Sequence, residues 1–568
     1  MKQAHHTPDT LLLNGCILTL DENSSIHQAM AIRCSHIQAV GRDVELKPLA
    51  GSNTRIIDLH GLTAIPGIVD AHAHMDREGL KNLLPTLSRA SSISDILAVI
   101  KAEVARKKKG EWVVIMPPGD PPNYAGVPEN LVEKRYPTRW EMDTVSPDHP
   151  VYIKGIWPPW NIPPSVSVAN SRALQLAGID RHTPSPHSSV VIEKDAAGEP
   201  TGVIIDRNMY PITEFTLMRV VPRFTQEDRT KALRDSMRTY NSVGVTSVYE
   251  GHGLAPEVLL AYKTLWDEGA MTVRSHLVIS PTWASLKEAE KEMAERGCCL
   301  WNDWFGDDLL RFCGYFLQLR GQRHVARFRS EELPYTGWAG FAVSYNAWPR
   351  FLALTLLAAR HRIRVHTIAS TEEEMEEVLG AYEAAQKEFP MSDRRWVIEH
   401  VRDVQASQLE RIKSLGVVCQ TIPLTHLWLR GASYLEDAER ADRAIPHQDF
   451  LQRRIPFALG TDNKPYNPFH TLWAAIARRE KNSGAVIGSR QCLSPAQGLM
   501  AFTMGGAYLC GQETRLGSLE AGKLADLAVL SDDPLQIFEE RLQEIRVHLT
   551  MVGGRVVHDD GVCVTDTL

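Results

Sequence analysis

"PGIVDAHAHMD", residues 66–76, places His72 and His74 one residue apart behind a short apolar run. Side chains alternate along a strand, so His72 and His74 project together while Ala73 projects the other way. Two imidazoles on one face can chelate a single metal ion. They can equally be unrelated polar residues at a strand end, and a lone His-x-His does not decide between the two.

The rest of the chain supplies the context. Its 568 residues exceed one ordinary domain and predict two or more core units. Hydrophobic residues make up 43% and charged residues 23%, an ordinary globular composition. A formal net charge of -7 is too mild to call for a nucleic acid or an anionic membrane surface. No apolar stretch reaches the roughly 18 residues a membrane span needs. The opening "MKQAHHTPDT" lacks the apolar core of a signal peptide. The 9 cysteines are dispersed without CxxC spacing, which fits a reducing, cytoplasmic setting rather than a disulfide scaffold or zinc ribbon. No GxGxxG follows a strand, so a nucleotide cofactor has no support.

Working outward from His72, the N-terminal stretch 11–49 reads as short alternating strands separated by turn residues. "GKLADLAVLSDD" (522–533) and "VHLTMVGGRVVHDDGVCV" (547–564) return to that style at the far end. Pairing of the two ends predicts one composite β domain from residues 1–65 and 513–568, a small β-sandwich. Two independent hairpins are the less stable alternative. Between the ends, apolar strand candidates alternate with helical stretches. They include 244–250, 272–279, 362–369, 394–401, 416–422 and 455–462. "STEEEMEEVLGAYEAAQKEF" (370–389) is an amphipathic helix, and "DVQASQLERIKSLG" (403–416) a shorter one ending at glycine. Such units predict an α/β fold, a (β/α)8 TIM-like barrel over residues 66–512, with an open doubly wound sheet as competitor. The barrel is preferred because the chemically active residues fall near the ends of many different strands. A proline- and tryptophan-rich stretch, about 80–210, reads as an insertion after the first barrel strand, over the mouth.

Those residues are Glu250, which ends "TSVYE", His366 in "VHTIA", His400 in "VIEHV" and Asp462 in "ALGTD". With His72 and His74 they form the imidazole and carboxylate set that a divalent metal favours. Each has a bland alternative taken singly: a strand-end hydrogen bond, a surface pair, a turn cap. Their occurrence together, each behind an apolar β segment, is harder to dismiss. His252, His426 and Trp157 are the candidate substrate contacts, with a second layer or insertion core as the alternative for each.

These motifs resemble the metal-dependent amidohydrolase superfamily. The matching elements are "PGIVDAHAHM", the histidines of "RVHTIA" and "VIEHV", the aspartate of "ALGTDN", and "GSLEAGKLADLAVLSDDPL" (517–535). "SVANSRALQLAGI" (167–179) and "GEPTGVIID" (198–206) resemble the amidohydrolase family 3 branch, which includes N-substituted formamide deformylase. The resemblance implies a metal-dependent hydrolase of an amide or related C–N bond. A metal-activated water would attack a small, neutral or mildly polar organic substrate. It implies His72 and His74 as ligands of a buried ion, His366 and His400 as ligands of a second ion or of the same cluster, and Asp462 as both ligand and general base. Zinc is the first expectation, one ion or two, with iron, manganese or nickel as alternatives.

Two departures qualify it. Many members bridge two metals with a carboxylated lysine, whereas the comparable stretch "LLRFCGYFLQLRG" (309–321) has none. Either one ion is held, or Glu250 is the bridging carboxylate. Family deaminases carry a glutamate three residues after the third histidine, and here that residue is Ala369. A deaminase, a cyclic-amide hydrolase and a catalytically silent binding barrel are the alternative functions. Expected partners are a small-molecule substrate and further copies of the chain, as a dimer, with neither nucleic acid nor membrane.

Overall fold

The computed structural model describes residues 7–118, 129–155, 164–208, 212–296, 306–321, 323, 326, 340, 344–390 and 394–567. Eight parallel strands form one sheet that rolls into a barrel: β1 (Ile68–Ala73), β2 (Val245–Leu254), β3 (Arg274–Ile279), β4 (Leu310–Phe316), β5 (Val365–Ile368), β6 (Val397–Glu399), β7 (Val418–Thr421) and β8 (Phe457–Leu459). They neighbour one another in chain order. β1 and β3 are buried along their whole length. Parallel strands covered on both faces are buried throughout, and here the buried length includes polar residues, Asp70 and His72 in β1 and Arg274, Ser275 and His276 in β3.

The seam between β8 and β1 is closed by hydrogen bonds at the end of β8. Asp462 N donates to the His72 carbonyl at 2.8 Å. The Asp70 carboxylate accepts from Thr461 N at 2.9 Å and from its hydroxyl at 2.6 Å. Sequence thus brings the first histidine pair and Asp462 to one point before any ligand is considered.

The helices between strands carry their own start and stop signals. Helix Glu372–Glu388 begins at Thr371, whose side chain accepts from Glu374 N, and has three glutamates in its first turn. Both features satisfy or complement the free N–H groups there. Helix Ala406–Ser414 stops just before Gly416, which has a φ of +65°.

Two further sheets are built from both ends of the chain. In one, Arg55–Asp58 pairs antiparallel with Val564–Thr567. In the other, Thr63–Pro66 pairs antiparallel with Leu527–Leu530. Leu12, Ile17, Ile57, Leu527, Val529, Leu549 and Met551 share one core between them. Arg274, at the start of β3, anchors this unit to the barrel with bonds to both Asp526 oxygens, 2.7 and 2.9 Å. Between β1 and β2 the chain inserts a five-stranded sheet, ordered 190–194, 200–206, 165–169, 151–153 and 113–115. Among the described residues, no helix is long and apolar enough to cross a membrane.

Candidate metal centre

The end of β1 is shaped by its neighbours. His72 N donates to Asp70 Oδ1 at 3.1 Å. The backbone of His74 is clamped by Asn463, with His74 N donating to Oδ1 at 2.9 Å and Nδ2 donating to the His74 carbonyl at 3.1 Å. Asn463 is itself fixed by the Tyr240 hydroxyl at 2.5 Å. Room for the His72 ring comes from glycine. A Cβ on Gly251 would lie 2.3 Å from His72 Cε1, and one on Gly460 would lie 2.4 Å from His72 Cβ.

Around His72 the structure gathers four more histidines and a carboxylate. The His72 ring lies 5.1 Å from that of His74 and 4.7 Å from those of His252 and His400. His252 stacks against His74 at 5.2 Å and against His400 at 5.0 Å. His74 Nε2 is 3.1 Å from Asp462 Oδ1, and His400 Nδ1 is 3.3 Å from His426 Nε2. Among the described residues, both His72 ring nitrogens and His400 Nε2 are buried without a hydrogen-bond partner. Ligand atoms of His72, His74 and His252 all lie within 4.8 Å of one another, a spacing that can hold a metal ion. The donor set fits a borderline divalent cation.

Electrostatics favour the ligating forms. Burial pulls His72 down to about 4, and it holds His74, His252, His400 and His426 well below the usual imidazole range. These rings are therefore neutral at physiological pH, as ligation requires. Burial alone would raise Asp462, but Lys464, bonded to its Oδ2, together with His74 and His400 holds the carboxyl well below its usual range.

Of the other expected ligands, His366 stands apart from the cluster and Glu250 adjoins it through His74. His366 is the second residue of β5 and pairs with Val397, while Ile368 pairs with Glu399. The strand runs two residues past His366, so its ring sits a layer below His400. There Nε2 is 2.9 Å from the Cys313 carbonyl and Nδ1 meets the Tyr249 hydroxyl, which donates to Glu399 Oε1 at 2.7 Å. Glu250 follows Tyr249 and faces the opposite way. Its Oε1 accepts from Met75 N at 3.0 Å and from the hydroxyl of Tyr262 on helix Pro256–Asp267. Burial, with Asp76, pushes its carboxyl up to about 8. With Asp76 and His74 it forms a second set of ligand atoms within 4.8 Å of one another, so the two sets share His74, and Glu250 Oε2 has no hydrogen-bond partner among the described residues. Trp157 and Trp160 lie outside the described residues.

Sequence reading names His252 only as a candidate substrate contact and does not single out Lys464, Glu399 or Phe316 for the site. The signal for Lys464 was available, since it stands two residues after Asp462 in "TDNKP". Glu399 Oε2 lies 3.8 Å from His72 Nδ1 and 3.9 Å from His252 Nδ1. Phe316, the last residue of β4, sets its ring edge-on to His252 at 5.6 Å.

The amidohydrolase family model matches residues 55–558. The chain is 24% identical to N-substituted formamide deformylase of Arthrobacter pascens, an alignment that covers 96% of this chain and 97% of that protein. Among solved structures it is similar to an uncharacterized metal-dependent hydrolase from Pyrococcus furiosus. The TM-score is 0.66 at 22% identity, over 93% of this chain and 100% of that one. It is also similar to a zinc-bound adenosine deaminase from Xanthomonas campestris, with TM-score 0.53 at 15% identity, over 97% and 93% of the two chains. With the eight-stranded barrel and the length of the family match, the chain belongs to the amidohydrolase family, hydrolases of carbon–nitrogen bonds other than peptide bonds.

Proposed function

We propose that this chain hydrolyses an amide or related C–N bond of a small organic substrate with the help of one divalent ion. Zinc is the first candidate, in line with the zinc of the structurally similar deaminase. His72, His74 and Asp462 are the proposed ligands, with His252 and His400 within reach of the same position. When bound, the ion would lower the pKa of a water toward neutrality and polarise the scissile carbonyl. Asp462 would take the proton of the attacking water on a carboxylate oxygen and hand it to the leaving nitrogen. Lys464 would keep that carboxylate ionised and aimed until the proton arrives. His400 and His426, in contact with each other, would line the substrate's path.

The observation that carries the reading is the convergence of buried, neutral histidines on a carboxylate held ionised. One ion is favoured over two because Phe316 ends β4 where a bridging donor would be needed. Glu250 Oε1 already accepts from Met75 N and the Tyr262 hydroxyl, and both nitrogens of His366 are occupied by protein partners. Deamination has less support. Ala369, fully buried and apolar, stands where a proton-shuttling glutamate is expected.

The test is elemental analysis of the purified full chain beside the His72→Ala/His74→Ala double variant, with formate or carboxylate release from N-substituted amides. One ion per chain, lost in the variant with circular dichroism unchanged, is expected. Two ions per chain would overturn the one-ion reading, and unchanged metal in the variant would overturn the ligand assignment.

A further inference from the structure

The loops after β6, β7 and β8 bring a surplus of positive charge to the histidine cluster. Arg402 stands two residues after His400, Arg430 follows the helical turn Leu424–Leu429 that carries His426, and Lys464 stands two residues after Asp462. Burial holds the His426 imidazole down, and Arg402, Arg430 and Lys464 add to that effect against Asp462.

The available carboxylates do not balance them. Asp462 is engaged by Lys464 and His74. Asp403 is 3.3 Å from Arg402 Nε but already accepts from the Tyr434 hydroxyl at 2.6 Å and from Arg440 at 2.9 Å. Arg430 is half-buried, and its guanidinium has no hydrogen bond or ion pair among the described residues. Its charge neighbours are Asp462 and, unfavourably, Arg402. Guanidiniums that repel one another in a partly desolvated place, as Arg402 and Arg430 do, are costly unless an anion joins them. A planar fork is well suited to a carboxylate. Their position at the C-terminal ends of barrel strands is where such folds place ligands.

We propose that the substrate carries a carboxylate, received by Arg430 with Arg402 beside His426, while its amide lies over the histidine cluster. This rests on the C–N hydrolase reading and narrows it. The neutral or mildly polar substrate expected from sequence would leave the Arg430 guanidinium without an ion-pair partner among the described residues.

Two probes separate this inference from the reading beneath it. The first is formate release from N-formylphenylalanine and from its methyl ester, which differ in the carboxylate alone. The second is calorimetric binding of 3-phenylpropionate against 3-phenylpropionamide. Wild type should prefer the acid in both. Arg430→Gln should lower kcat/KM for the acid on the order of 10–100-fold, mainly through KM. It should leave the ester within about 2-fold, and metal content unchanged. Arg430→Lys, which keeps the charge without the fork, should fall between and guards against a folding defect in the glutamine variant. Equal handling of acid and neutral partner by wild type would overturn the carboxylate site even if both are hydrolysed. So would an acid preference that survives Arg430→Gln, since the carboxylate would then be held elsewhere. Arg430-dependent binding of 3-phenylpropionate with no amide cleavage would keep the site and overturn the hydrolase reading instead.

Discussion

Gly251→Ala is the sharpest probe of how His72 is held. The added Cβ would lie 2.3 Å from His72 Cε1, 2.4 Å from Nε2 and 2.6 Å from Nδ1. Ordinary contact begins at 3.4 Å, so the ring would have to retreat by about 1 Å. It has little room to do so. On its other side the backbone of Gly460 is close enough that a Cβ there would meet His72 Cβ at 2.4 Å and His72 N at 2.6 Å. No left-handed φ is recorded at Gly251, so the cost is steric rather than conformational.

A displacement of about 1 Å at a positioned group can cost on the order of 10²-fold in rate, roughly 2.7 kcal/mol. Disturbing the support of a metal ligand commonly lowers affinity by about 10–100-fold. Chelator competition should therefore show weaker metal binding in Gly251→Ala, and kcat/KM at saturating metal should fall by about 10²-fold. Global stability should drop by only about 1–3 kcal/mol. Gly380→Ala is the control, because its Cβ meets only Trp348 at 3.8 Å within helix Glu372–Glu388. It should gain up to about 1 kcal/mol of stability with unchanged turnover. A Gly251→Ala protein with native metal affinity and native kcat/KM would show that His72 is not the ligand its enclosure suggests.

Asp462→Asn keeps the size and one ligating oxygen but cannot accept a proton, so kcat should fall by about 10²–10⁴-fold with part of the metal retained. Near-normal turnover would remove Asp462 from proton transfer. Glu250→Gln bears on pH. Burial and Asp76 raise the Glu250 carboxyl to about 8, so the folded state holds its proton longer than the unfolded state, whose value is near 4.5. Its contribution to stability is therefore lost as pH rises from about 4.5 through about 8. Glutamine stays neutral and can still accept from Met75 N and the Tyr262 hydroxyl. Melting temperatures should thus show the variant gaining on wild type from pH 6 to 9, with metal content unchanged. Loss of metal in Glu250→Gln would return this carboxylate to the ligand set.

Much of the architecture was legible because the physics is local. Parallel strands covered on both faces must be continuously apolar, and "GVVCQTI" and "IPFALGTD" declared themselves in that way. The meeting of Thr63–Pro66 with Leu527–Leu530 joins two short apolar strands that are buried along their whole length, the second of them also paired with Val547–Val552. The depth of a side chain within the barrel was less legible. His366 and His400 look alike in "RVHTIA" and "VIEHV". β5 continues past His366, whereas β6 ends at Glu399 and His400 turns away with a φ of +55°. Nothing in either segment's composition records where a strand stops.

The segment after β2's Tyr249 shows why alternation misled. Glu250 and His252 are two apart, and a regular strand would aim both at the same face. The pairing between β2 and β3 shifts register between Glu250 and Leu254. His252 has a φ of +61° and Gly253 of +69°, a left-handed step that histidine adopts more readily than branched residues do. A Cβ on Gly253 would also meet the backbone of Ile279 and Ser280 within 3.1 Å, so only glycine lets the chain pass there. The kink swings His252 into the cluster and leaves Glu250 with Tyr262 on the helical side. One strained turn, marked in sequence only by "EGHG", therefore adds an imidazole beside His72 and His74, while Glu250 stays within ligand distance of His74 and Asp76.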